Sequence, residues 1–186
     1  MGCDIHMYLE NKKGSKHLWS AVSGLKLDMV LRRNFKSIDG YYSHIQNPKK
    51  AAKLVKEHRS WARKYFYHDR NYSLFAMLSN VRNDGSVESL CEEGNCDGVM
   101  PDDASDKVFC EYRHWGRDAH SLTVFTLQEL LIDNKDFWEK DTTDWNGKPC
   151  KYKDLCEDFL RDINAVASHA QWKNLDKWRI VAWYDN

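Results

Sequence analysis

Strict alternation at the start of the chain most constrains its fold. Cys3, Ile5, Met7 and Leu9 point one way along an extended segment, while Asp4, His6, Tyr8 and Glu10 point the other. A run rich in β-branched and aromatic residues over 178–184 (Trp-Arg-Ile-Val-Ala-Trp-Tyr) reads as a strand at the far end. After the first strand, Asn11-Lys12-Lys13-Gly14-Ser15 is a turn cluster and 17–22 a returning strand, so an N-terminal hairpin is expected. Between the terminal strands the periodicity turns helical. Asn47 can cap a helix with Pro48 at its first position, and Leu54, His58, Trp61 and Tyr65 then recur at helical spacing. The spacing predicts a second helix over 69–81, with Tyr72, Phe75, Leu78 and Val81 as its apolar line. A strand over 121–125 leads into Thr126-Leu127-Gln128-Glu129, a capping-box pattern that starts a helix. Another helix spans 154–172, burying Leu155, Phe159, Ile163, Val166 and Ala170. Together these elements predict an α+β fold: a single domain over 1–186, with a mainly antiparallel sheet that includes both terminal strands and about four helices packed on it.

The length of 186 residues suits one domain. Residues 84–114 interrupt the pattern as a long polar loop or insertion, its part 84–108 rich in Asp, Glu, Gly and Ser. Lys+Arg and Asp+Glu are both 28, which argues against an extended nucleic-acid surface gripped by bulk charge but leaves room for a local basic pocket. No apolar run is long enough to span a membrane. The opening Met1-Gly2-Cys3 invites acylation, but His6 stands where that signal wants Ser or Thr. Six cysteines without an export signal read as reduced thiols in a cytoplasmic setting. Among the aromatics, Trp61, Trp138 and Trp172 fall on helical repeats and read as core.

Chemistry concentrates elsewhere. Asp4 and His6 lie two apart on one strand face, and Asp118-Ala119-His120 repeats the pattern at a second strand edge. Asp185 follows the last strand and approaches Asp4 if the terminal strands pair. Asp4, His6, Asp118, His120 and Asp185 are together a candidate ligand set for a divalent transition metal such as zinc or manganese. Without metal, His6 and His120 serve as general base and acid, with Asp118 as a further catalytic carboxylate. The plainer alternative is the solvated face of a hairpin. Arg82, Asn83 and Arg117 suit bidentate phosphate binding, the alternative being helix capping and surface charge. Trp115 and Trp183 lie close enough to these residues in sequence to stack on a nucleobase. Cys91, Cys96, Cys110 and His114 form either a zinc clamp or ordinary free thiols. Cys3 is a weaker candidate nucleophile near His120, since it alternates away from His6.

The opening Met-Gly-Cys-Asp-Ile-His, the stretch from Arg70 to Asn83, the Asp118-Ala-His-Ser turn and the closing Ala-Trp-Tyr-Asp-Asn resemble an uncharacterised family of bacteriophage and bacterial proteins. Ala119 replaces the family's glycine, and Tyr184 its phenylalanine; neither change removes a polar group. The resemblance implies a phage or bacterial origin and an intracellular setting, the host cytoplasm if phage-encoded. Metallophosphoesterases of the calcineurin type also place D-x-H on their first strand, but their remaining glycine, asparagine and histidine motifs are missing here. Two functions are therefore expected. One is a metal-dependent hydrolase of a phosphorylated nucleotide or similar small molecule. The other is a non-catalytic binding protein that sequesters a nucleotide immune signal or inhibits a host defence enzyme.

Overall fold

The computed structural model describes residues 3–12, 18–31, 45–67, 70–91 and 98–185. Most of the expected hairpin turn, Asp69, Cys96 and Asn186 lie outside the described residues, as do the side chains of Leu25 and Trp61. Six strands are present among the described residues: β1 (Asp4–Lys12), β2 (Trp19–Val22), β3 (His120–Thr126), β4 (Asp141–Thr143), β5 (Pro149–Lys151) and β6 (Trp178–Asp185). Four of them form one antiparallel sheet in the order β2-β1-β6-β3, and β4 and β5 make a separate hairpin. The terminal strands thus lie side by side in the middle of the sheet. Their register sets Asp4 opposite Asp185, His6 opposite Trp183, Tyr8 opposite Val181 and Glu10 opposite Arg179.

Six α-helices accompany the strands among the described residues, rather than about four: α1 (Leu25–Leu31), α2 (Pro48–Lys64), α3 (Tyr72–Ser79), α4 (Asp106–Trp115), α5 (Tyr152–Leu155) and α6 (Glu157–His169). Asn47 caps α2 as expected, its Oδ1 accepting from the Lys49 and Lys50 amides. The second predicted helix is shorter than 69–81, because Asn71 caps it at the Leu74 amide and Asn80 ends it in a left-handed conformation. The capping box forms, with Thr126 Oγ1 accepting from the Glu129 amide and Glu129 Oε2 from that of Thr126. The helix expected over 154–172 is broken at Cys156 and stops at His169. Trp172 therefore leaves the helical repeat at φ 55 and is 52% exposed rather than core. Trp138 is buried as expected, its indole donating to the Leu130 carbonyl at 2.7 Å.

The alternation of β1 and β6 divides the interior in two. Ile5, Met7, Leu9, Ile180, Ala182 and Tyr184 face the main core. There they meet Leu27 and Val30 of α1, Leu74 and Leu78 of α3, and Phe159, Ile163 and Val166 of α6. Each such side chain contributes about 1.5–3 kcal/mol on burial. On the other face Tyr8, Leu122, Val181 and Trp183 form a smaller cluster closed by Tyr65 and by Val108 of α4. Helix α4 corrects the reading of 84–114 as loop throughout. Val108, Tyr112 and Trp115 recur at helical spacing, but Val108 is the only residue of the helix that is buried, so its apolar stripe is thin.

Candidate functional site

Because β1 begins where β6 ends, the polar face of β1 meets Asp185 at one end of the sheet. The Asp4 amide donates to Asp185 Oδ1 at 3.0 Å, and His6 Nε2 lies 3.1 Å from Asp185 Oδ2. The anticipated approach of Asp185 to Asp4 is therefore present. Arg70 engages the Asp4 carboxylate with its Nε and, at 3.0 Å, with Nη2. This two-pronged pair holds the Asp4 carboxyl below the usual carboxylate range. His6 is only 1% exposed. Burial lowers its basicity, and the neighbouring Asp185 carboxylate only partly offsets the effect.

The imidazole is enclosed by rings. Trp115 lies 4.2 Å from it between centroids, Tyr65 5.3 Å and Trp183 5.8 Å. Tyr8 stacks on Trp183 at 5.3 Å, and Tyr112 meets the same indole edge-on. Burial, with Tyr65 and Glu111 nearby, pushes the Tyr8 phenol up. Three buried polar atoms in this cluster lack a hydrogen-bond partner among the described residues: His6 Nδ1, Trp115 Nε1 and Trp183 Nε1.

The second D-x-H element is at the same end of the sheet, but its histidine is on the opposite face. His120 pairs with Tyr184, and its ring stacks on that side chain at 6.1 Å. The cause is a β-bulge. Between His120 and Thr123 the register gains a residue on β3, with Ser121 at φ 51, so His120 and Thr123 both face the main core. Thr123 and Tyr184 there share the Ser79 hydroxyl at 2.8 and 2.7 Å. Plain alternation would have put His120 on the face of His6. Asp118 and Arg117 are exposed in a short 3-10 turn, Gly116–Asp118.

This arrangement does not fit the expected metal set. Asp4 is held by Arg70, His6 by Asp185, and His120 is across the sheet; among the described residues no three His, Cys, Asp or Glu groups are placed to share an ion. The proposed zinc clamp is corrected at Cys91, which is disulfide-bonded and so neither a free thiol nor a thiolate ligand. Cys110 is a free, exposed thiol. Cys3 shares the main-core face with Tyr184, and burial pushes its thiol up despite the adjacent Arg82 guanidinium, which disfavours a nucleophilic thiolate.

The phosphate-binding candidates divide. Asn83 staples its own loop, donating to Asn80 Oδ1 and the Val87 carbonyl while accepting from the Gly85 amide. Arg82 is exposed, at φ 57, beside Cys3 near the start of β1. Trp183 is fully buried, whereas Trp115 is half-buried over His6.

One buried network has no counterpart in the sequence reading. Arg179 Nε donates to Glu10 Oε2 at 2.8 Å and Nη1 to Asp103 Oδ1 at 2.8 Å, while Glu10 Oε1 accepts the Ser105 amide. The Asp103 carboxylate also accepts the Trp19 indole N–H, and Arg179 lies 4.0 Å over that ring. These contacts tie the segment before α4 to the sheet. Their only sequence signal is the placement of Glu10 and Arg179 on the polar faces of two strands.

No family model, curated protein or solved structure matches this chain.

Proposed function

We propose that the protein binds a small phosphorylated ligand at the sheet end where β1 starts and β6 finishes. The reading rests on three exposed arginines near the strand ends there: Arg70 on Asp4, Arg82 beside Cys3, and Arg117 in the turn that leads into β3 at His120. Guanidinium groups pair with phosphate oxygens in bidentate fashion, and with no net charge on the chain as a whole an anion has to be drawn by local groups of this kind. Binding without turnover is favoured over hydrolysis because the imidazole of the Asp185–His6 pair is only 1% exposed. Sequestration of a nucleotide signal agrees with both the arginines and the surrounding rings. Equilibrium dialysis against nucleotides and pyrophosphate tests the reading. We expect saturable binding that weakens about tenfold or more in Arg70→Ala/Arg117→Ala, with the ligand recovered chemically unchanged after heat denaturation. Equal binding by the double variant removes the arginine site. Recovery of a hydrolysed product, lost in His6→Ala, instead overturns binding without turnover and establishes a hydrolase that uses the Asp185–His6 pair.

A further inference from the structure

We propose that the ring cluster around His6 takes a flat heterocycle of nucleobase type in the place now filled by the Trp115 indole, with Trp115 as a built-in plug. This deepens the phosphorylated-ligand reading and rests on it for where the phosphates lie.

The tautomer of His6 defines the chemistry. The Asp185 carboxylate only accepts, so a neutral imidazole carries its proton on Nε2, facing Oδ2 at 3.1 Å. Nδ1 is then a buried lone-pair acceptor with no donor among the described residues. The indoles of Trp115 and Trp183, both against this imidazole, each carry a buried N–H with no acceptor among the described residues. Unpaired polar atoms are costly in a protein interior, and three of them belong to one cluster of rings. A planar ring bearing both an N–H donor and an N or O acceptor along its edge complements that set. A purely aliphatic or anionic group does not.

Trp115 sits where such a ring would stack, 4.2 Å from the imidazole with 34° between the planes. It is half-buried and is the last residue of a helix that buries only Val108, so turning its indole outward gives up its contacts with the His6 cluster but no other buried side chain of the helix. Gly116 follows at φ 55, ψ −121, a conformation that side-chain-bearing residues avoid and that suits a swivel. Arg117 comes next and is exposed, two residues on from the indole in the same turn.

The test is equilibrium dialysis of the intact protein, with adenosine, guanosine, cytidine and uridine as phosphate-free probes and pyrophosphate as the base-free probe. At least one nucleoside should bind. Removing the plug in Trp115→Ala should raise its affinity about tenfold, while Trp115→Phe, which keeps a ring in place, stays within about twofold of wild type. Failure of every nucleoside to bind, or an unchanged affinity in a natively folded Trp115→Ala, overturns the plug. If Trp115→Ala does not fold, the wild-type indole N–H resonance of Trp115 decides: it must shift on nucleoside addition, and a static signal overturns the proposal. Pyrophosphate binding without nucleoside binding rejects the heterocycle site but keeps the phosphate reading. Nucleoside binding without pyrophosphate binding does the reverse.

Discussion

At the scale of single residues, His6 carries the sharpest consequence. The groups facing it are Asp185, Asp4 and Lys64, yet burial outweighs the two carboxylates and holds the imidazole below its ordinary value of 6.5. The unfolded chain therefore binds more protons than the folded one just beneath that value. The His6 contribution to stability is complete above 6.5 and is lost as the pH falls toward the folded-state value. Asp4 and Asp103 titrate lower still, since both are shifted down from 3.8 and act only in strong acid. Urea midpoints measured between pH 7.5 and 5.5 should fall with acidification in the wild type. His6→Gln, which cannot titrate, should flatten that slope; an unchanged slope would show that another group carries it. The polar faces of these residues were legible in the sequence, because strand alternation assigns Asp4, His6 and Glu10 to one side without further information. The side on which His120 lies was not. One extra residue at Ser121 reverses the parity of everything before it, and Asp-Ala-His-Ser carries no glycine or proline to announce the bulge.

At the scale of elements, α4 is held more by its ends than by its own burial. Its entry is tied through Asp103 and Ser105 to the Glu10–Arg179 pair, and its flank by Lys64–Glu111 at 2.8 Å and Lys107 Nζ on the Ser23 hydroxyl at 2.8 Å. Arg179→Met would leave the fully buried Glu10 carboxylate facing little beyond the Ser105 amide. We expect a stability loss of about 3–5 kcal/mol by chemical denaturation, and recovery of most of it in Glu10→Leu/Arg179→Met, where no buried charge is stranded. A small effect in the single variant would mean that water reaches the carboxylate. The thin apolar stripe explains why 84–114 read as loop: one buried valine in ten residues gives too weak a period. The cap at Asn47 was legible as a residue type and fixed the start of α2, whereas the expected start at 69 ran ahead of the Asn71 cap of α3. At Cys156 and Trp172 the chain abandons the repeat although the apolar spacing continues.

At the scale of the whole molecule, the α+β arrangement followed from strands at both ends, and the sheet order adds what that pattern could not: both strands are internal. The bond from the Asp4 amide to Asp185 joins residues 181 apart in sequence. Pairing so remote is a loop-closure problem for the folding chain, since it costs entropy before any sheet hydrogen bond repays it. Yet in the finished molecule the start of β1 and the end of β6 are direct antiparallel neighbours, one short turn from being a hairpin. A permuted chain that joins them through a few glycines and opens at the exposed Asn146-Gly147 turn between β4 and β5 should keep the native circular dichroism spectrum and refold faster in stopped-flow measurements. Slower refolding would place the rate-limiting contacts elsewhere, among the helices. A pairing between residues 181 apart in the natural order thus becomes, by moving one peptide bond, the most local contact in the sheet.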